Sequence, residues 1–418
     1  MELTRLRGFR DILGVDSQTM ALVEEQARRL MRRYNIGEIR TPVLEAVQLF
    51  QRTAGETSDL VEKQIYSFTD RDQGETVVAL RPEGTAGVVR AYIEAGLDRS
   101  DPEQRFFYSG PVFRRERPQK GRYRQHFQFG VEIFGRPDAA CDAELLTLLD
   151  DLRRALDLQL SFEINSIGDQ ECRPKFRQAV LDFGLKHEAQ LCDDCRRRLR
   201  QNPLRLLDCR IDAALVESAP RSIDYLCVPC RTHYDTVKSL LDAAGVAFVE
   251  NYRLVRGLDY YSRTTFEVKS ANLGAQNTVA GGGRYDGFVE MLGGAPMAGI
   301  GFGIGIDRVA LAVQAANKVA ALSPAAAIIA LGEPALRQAT ALARALRADQ
   351  IDVEVLSADR KIKTLLGRAS KIGARFAVIL GEDELKRGAV QLRDLLLSKQ
   401  SEVVVGDLAR TIGAALVG

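Results

Sequence analysis

The stretch FRRERPQKGRYRQHFQFGVEIFG, residues 113–135, decides how the chain is read. Its second half alternates with period two, as a strand does. One face then carries Gln125, Phe127, Phe129, Val131 and Ile133, apolar enough to meet a core. The other carries Arg124, His126, Gln128, Gly130, Glu132 and Phe134, which lines up a stacking ring, an amide, a gap and a carboxylate. Gly130 weakens a strand interior unless something must approach closely. A solvated polar face is the commoner explanation of such a strand. It does not account for a glycine between two hydrogen-bonding groups, so a ligand-facing surface is preferred. Upstream, FFYSGPVFRRE (106–116) reads as a partner strand, joined through the basic loop RPQKGR. Arg114, Arg115, Arg117, Lys120, Arg122 and Arg124 lie within eleven residues. Such a cluster suits a polyphosphate or an RNA backbone; a merely solubilising loop is the plainer alternative.

Working outward, IYSFTD and ETVVAL flank the turn RDQG and predict another hairpin. EIRTPVLE (38–45) is a short extended segment that Pro42 confines to a sheet edge or interface. Met20, Val23, Ala27, Leu30, Met31 and Tyr34 share one face of a helix over 17–35. Hairpin after hairpin with such helices predicts an α+β fold, an antiparallel sheet flanked by helices. RPEGTAG (81–87) presents Glu83 and Thr85 in alternation. AGGGRYDG (280–287) admits close backbone approach, with Arg284 and Tyr285 beside the ligand. GFGIGIDR (301–308) is a strand entering a helix. It lacks the strand–turn–helix unit and distal acid of a dinucleotide fingerprint, and the chain has no P-loop. ATP, if bound, meets arginines on a sheet.

The 418 residues exceed one ordinary core, and 46% hydrophobic with 27% charged residues is a globular composition. A net charge of +2 assigns any nucleic-acid contact to local patches. The N-terminus has no apolar signal region, and the most apolar tract, 309–332, is broken by Asn317, Lys318, Ser323 and Pro324. A cytoplasmic protein with reduced cysteines and no membrane contact is expected. Expected domains are 1–167 and 251–322, two parts of one catalytic domain, with a helical insertion at 168–250. A separate α/β domain at 325–418 has a mostly parallel sheet, and its second helix buries Ile362, Leu365, Leu366, Ala369 and Ile372. Cys192, Cys195, Cys227 and Cys230 form CxxC…CxxC. The pair spacing suits tetrahedral zinc, but 31 residues intervene, and burial as small apolar residues is favoured.

Together these segments resemble the class II histidyl-tRNA synthetases of bacterial type, along essentially the whole chain. EIRTPVLE resembles motif 1, the dimer-interface strand. Residues 113–135 resemble motif 2 and GFGIGIDR motif 3. LVRGLDYYSRTTFEV (254–268) and AGGGRYDG resemble the signatures peculiar to the histidine enzymes. The resemblance implies a homodimer with a C-terminal anticodon-binding domain. It implies ATP, L-histidine and tRNA(His) as substrates, with Mg2+ as cofactor. Histidine and ATP would give histidyl-adenylate and pyrophosphate, and the histidyl group would pass to the tRNA.

By the same resemblance, Arg114 and Arg256 are the catalytic arginines on the α-phosphate. Glu116 reads adenine, Arg122 meets the γ-phosphate and Arg308 stacks on adenine. Glu83, Thr85 and Gln128 hold the substrate amino group. Glu132 and Tyr261 read the imidazole, with Tyr260 and Tyr285 in the same pocket. Two departures stand out. His126 precedes Phe127 where the family usually has Phe-His, which predicts a weaker or pH-sensitive adenine stack on His126. Asp307 replaces the usual Glu, which predicts a shifted magnesium contact. Regulatory relatives of an ATP phosphoribosyltransferase and a non-catalytic RNA-binding regulator are the alternatives. Both fit poorly with a C-terminal domain and three retained arginines.

Overall fold

In a computed structural model the chain forms two compact units, residues 1–319 and 320–418. The structure describes residues 3–54, 64–71, 74, 76–119, 121–255, 260–316, 323–356 and 361–417. The strands of the first unit are β1 (Gly37–Glu38), β2 (Leu44–Ala46), β3 (Tyr66–Asp70), β4 (Thr76–Leu80), β5 (Arg105–Phe113), β6 (Gln125–Phe134), β7 (Leu160–Ser166), β8 (Val249–Glu250), β9 (Ser262–Ser270), β10 (Thr278–Arg284) and β11 (Gly299–Gly305). One sheet has the order β1-β5-β6-β11-β10-β9-β7-β8, and a small one the order β2-β4-β3. The large sheet is antiparallel except at its edges, where β1 joins β5 and β8 joins β7 in parallel.

The alternation of β6 places the core. Phe129, Val131 and Ile133 are buried with Met20, Val23, Ala27, Leu30 and Met31 of the helix Val15–Arg33, and with Val309 and Val313 of the helix Ile306–Ala315. Each of these side chains other than Ala27 contributes about 1.5–3 kcal/mol. The opposite face of β6 is left for polar groups. Gly130 is required by the protein itself: a Cβ there would overlap the ring of Tyr108 from β5. In β11 the glycines alternate for a similar reason. Gly299 clears Tyr285, Gly301 clears Glu132 and Gly303 clears Gln128. GFGIGIDR thus lets large polar side chains of its neighbours lie across a flat strand.

Residues 168–250 do not form a core of their own. Tyr234, Val237 and Leu241 share one face of the helix Val228–Ala243 and enter the main core, and β8 extends the sheet. Phe176, Val180, Leu191, Leu199 and Leu204, earlier in this segment, join a second cluster with Tyr108, Phe134, Tyr260 and Tyr285.

The second unit contains β12 (Ala326–Ala330), β13 (Val353–Leu356), β14 (Phe376–Leu380), β15 (Ala389–Asp394) and β16 (Lys399–Val404), in the order β13-β12-β14-β15-β16. The first three are parallel and the last two antiparallel additions, so the sheet is mixed. Both faces of β12 and β14 are buried, which explains their unbroken apolar runs. The helix Ile362–Lys371 buries Leu365 and Ala369, with Leu366 and Ile372 partly covered, while Ile362 is 41% exposed in its first turn. Among the described residues no helix is long and apolar enough to cross a membrane.

Candidate active site

A cavity of about 680 Å³ opens on the polar face of β6. His126, Gln128 and Glu132 lie along its floor. Arg114 and Glu116 come from the chain leaving β5, and Arg122 from the turn into β6. Glu83 and Thr85 come from the start of the helix Thr85–Glu94, Tyr260 and Tyr261 from the approach to β9, and Tyr285 from the end of β10. Arg308 stands in the first turn of the helix that follows β11. All these sequence-predicted residues meet here. Arg256 lies outside the described residues, as does Lys120.

One end of the cavity is acidic and ringed by tyrosines. Glu83 is buried, its carboxylate accepting from the amides of Thr85 (2.6 Å) and Ala86 (3.0 Å). Burial raises its carboxyl above the ordinary value against those two hydrogen bonds. Glu132 is fully buried. It accepts from the Thr85 hydroxyl (2.8 Å) and from the Tyr285 hydroxyl, and burial pushes it up to about 8. Tyr260 stacks on Phe288 at 4.3 Å between ring centres and meets Tyr285 edge-on at 5.8 Å. Gln128 lines the cavity, and its carbonyl oxygen is buried without a hydrogen-bond partner among the described residues.

The other end is cationic. Arg114 donates through Nε to the Pro82 carbonyl (2.8 Å). Arg308 is held by the carbonyls of Gly121 (3.1 Å) and Thr278 (2.7 Å). Arg122 pairs with Glu116. Burial lowers the pKa of both Arg122 and Arg308, and the neighbouring Arg114 and Arg210 lower both further. Such mutual repulsion is relieved by a bound polyanion.

His126 departs from the sequence expectation. Burial, then Arg114 and Arg308, depress its pKa to about 3. The ring is therefore neutral throughout the physiological range, and a stack on it would not titrate there. Asp307 also lines the cavity. Its two oxygens accept from Arg10 (2.6 Å) and from the Phe127 amide (2.7 Å), so the acid clamps the N-terminal segment to β6. Arg284 does not face the ligand. It is wholly buried against Asp142, Asp286 and the carbonyls of Arg136 and Asp138, and Asp142 also meets His233 at 2.8 Å.

The cysteines do not gather as the CxxC…CxxC spacing would have them in a single four-cysteine site. Cys192 and Cys195 group with Cys209 and Asp212, whereas Cys227 and Cys230 group with Asp169 and Cys172. Glu267, Arg205, Asp208 and Arg210 line the cavity without having been singled out. Period two along β9 puts Glu267 opposite the buried Phe266 and Val268 and could have found it. Nothing local marks the other three, which arrive from the helical segment.

An antiparallel sheet carrying arginines against an acidic pocket, closed by a glycine-alternating strand that enters a helix, is the layout of the class II aminoacyl-tRNA synthetases. The family model described as "Histidyl-tRNA synthetase" matches residues 8–168 and 195–309, and one described as "Anticodon binding domain" matches 325–414. A histidine–tRNA ligase of Desulforamulus reducens is 43% identical over 99% of this chain and 100% of its own length. One of Thermotoga petrophila is 44% identical over 96% of each. The crystal structure of apo Staphylococcus aureus histidyl-tRNA synthetase superposes with a TM-score of 0.80 at 33% identity, over 98% of this chain and 100% of that one. The chain belongs to the histidyl-tRNA synthetase family.

Proposed function

We propose that this cavity makes histidyl-adenylate from L-histidine and ATP, and that the chain then transfers the histidyl group to the terminal adenosine of tRNA(His), the reaction of its family. The observation that carries this reading is the polarity of one continuous cavity: buried Glu83 and Glu132 with three tyrosines at one end, and Arg114, Arg122 and Arg308 at the other. A zwitterionic amino acid with a hydrogen-bonding ring fits the first end and a nucleoside triphosphate the second. Their junction is where the carboxylate meets the α-phosphorus.

No side-chain nucleophile is needed. The histidine carboxylate oxygen bonds to the α-phosphorus, the bond to the β-phosphate oxygen breaks, and pyrophosphate takes the electron pair. Arg114 bridges the two anions, and Arg256 has the role of second catalytic arginine on the phosphate by resemblance to the family. Together they stabilise charge growing on the equatorial oxygens. Arg308, fixed by two carbonyls, offers its plane to adenine opposite His126. On ATP binding Arg122 exchanges Glu116 for the γ-phosphate, which frees Glu116 for the adenine edge. The Gln128 oxygen accepts from the histidine ammonium beside Glu83 and Thr85. Glu132 accepts from one imidazole nitrogen, and Tyr261 donates to the other. Mg2+ takes oxygen ligands. Glu267 lines the cavity and fits as one of them, beside the substrate phosphates. Magnesium held there would supply positive charge to the pyrophosphate oxygens.

Histidine-dependent ATP–pyrophosphate exchange by the purified protein tests the reading; no exchange at saturating histidine, ATP and magnesium refutes it. Arg256→His is expected to fold and bind ATP yet lose most adenylate formation. Exchange at the parent rate removes Arg256 from the mechanism. A cytoplasmic homodimer assembled through residues 38–45 completes the proposal, and sedimentation of the parent protein tests its oligomeric part.

A further inference from the structure

The cysteine-bearing helical segment holds two clusters with the same local construction. In the first, Asp169 and Cys172 stand three apart, as do Cys227 and Cys230. In the second, Cys192 and Cys195 are one such pair and Cys209 and Asp212 the other. Each cluster therefore offers three sulfurs and one carboxylate, with all four donor atoms within 4.8 Å of one another.

Those spacings are the edges of a coordination tetrahedron. With a metal–sulfur bond of about 2.3 Å and a metal–oxygen bond of about 2.0 Å, sulfur–sulfur edges are about 3.8 Å and sulfur–oxygen edges about 3.5 Å. Cys192 Sγ lies 3.8 Å from Cys209 Sγ. Asp169 Oδ1 lies 3.6 Å from Cys172 Sγ and 3.8 Å from Cys227 Sγ. The sulfurs of Cys192 and Cys209 are too far apart for a disulfide, and a carboxylate among three thiols is foreign to apolar packing. A donor set this tight surrounds one ion and leaves no room for a polynuclear cluster.

The backbone around both sites suits thiolates. In each, the aspartate amide donates to a cysteine sulfur: Asp169 to Cys172 at 3.4 Å and Asp212 to Cys209 at 3.5 Å. The aspartates are oriented in turn, Asp212 by the Cys192 amide (3.0 Å) and Asp169 by the Glu171 amide (3.1 Å) and Arg263 (3.4 Å). Such outer contacts commonly position metal ligands.

We propose that the chain binds two structural zinc ions, one at Asp169, Cys172, Cys227 and Cys230 and one at Cys192, Cys195, Cys209 and Asp212. Each ion takes three thiolates and a carboxylate, and three thiol protons pass to solvent as it enters. With all four positions filled by protein, neither ion has an open site for catalysis. The first staples the start of the helix Arg173–Lys186 to the start of the helix Val228–Ala243. From the former helix Arg173 donates to the Tyr261 carbonyl (2.8 Å), beside the histidine pocket. The second fixes the segment whose Arg205 and Arg210 line the cavity.

The test is zinc content by mass spectrometry of the full-length chain purified from zinc-supplemented cells and passed over a chelating resin. Two equivalents are expected. Cys195→Ser and Cys230→Ser should each retain one, the double variant none, and Cys141→Ser both. No retained zinc in the parent overturns the proposal. So does a single ion lost equally in both single variants, which would mean one shared four-cysteine site. Should a serine variant fail to fold, cobalt(II) added to chelator-treated parent protein reads the same chemistry. Thiolate charge-transfer and tetrahedral d–d bands should grow to an end point at two equivalents; octahedral cobalt spectra refute it. Alkylation in denaturant without reductant should modify all seven cysteines once metal is removed, and pairs withheld as disulfides count against the sites.

Discussion

At Glu132, function and stability pull in opposite directions. Burial raises this carboxyl to about 8, although Thr85 and Tyr285 both donate to it. A carboxyl raised above its unfolded value stabilises the fold fully below pH 4.5, and that contribution is lost as pH rises through 8. Glu132→Gln keeps the shape and removes the ionisation. Urea denaturation should therefore find the variant gaining on the parent between pH 6 and pH 9, by on the order of a few kcal/mol. Histidine-dependent exchange should fall sharply. Parallel stability curves would show that Glu132 ionises freely in the folded protein. His126 makes the contrasting case. Its pKa near 3 predicts that the KM for ATP does not change with the ring's protonation between pH 6 and 8, and that His126→Phe leaves this pH profile unaltered. A profile that breaks near pH 6.5 in the parent and not in the variant would place the ring in water.

Single elements explain which parts of the site were legible in the sequence. The two faces of β6 could be read because strand alternation is local: its core face is buried, and its polar face lines the cavity. The reason for Gly130 could not be read, because the obstacle is Tyr108 on a different strand. Arg284 misled for the same reason. Its partner Asp142 lies 142 residues away, and only the fold shows that the guanidinium turns inward. The cysteine spacing likewise marks pairs but not which pairs meet. Two variants test this account. Gly303→Ala puts a methyl group where the Gln128 amide lies, and that flexible end can yield. The protein should fold normally, with the KM for histidine raised roughly ten- to hundredfold, the 1.5–3 kcal/mol of one charge-assisted hydrogen bond. The KM for ATP should change little; equal changes in both would mean that the whole strand shifts. Asp142→Asn leaves Arg284 buried with a weakened partner. It should cost about 3–5 kcal/mol in denaturation with little effect on substrate affinity in the folded fraction.

Across the whole molecule, the cavity and the region matched by the anticodon-binding model have separate cores. Among the described residues, the clusters that support the cavity reach no further than Ala316. The buried residues of β12 to β16 and their helices form clusters of their own within the unit 320–418, and the anticodon-binding match falls at 325–414. The shift from antiparallel hairpins to short apolar strands alternating with helices made this division readable, because period and connection type change together. Which residues grip the tRNA was not readable, since the basic face of the helix Ile362–Lys371 looks the same whether it meets water or phosphate. Deletion of residues 325–418 separates the two tasks. The remaining chain keeps every residue of the cavity and both of its supporting clusters, so it should fold and carry out pyrophosphate exchange within a few-fold of the parent. Histidylation of tRNA at subsaturating tRNA should drop by roughly a hundredfold or more, on the order of 3 kcal/mol of lost binding. Circular dichroism melting establishes whether the truncated chain is folded. If a folded truncation loses exchange and charging by the same factor, the C-terminal unit supports the chemistry itself, and its role as a separate tRNA-binding module is refuted.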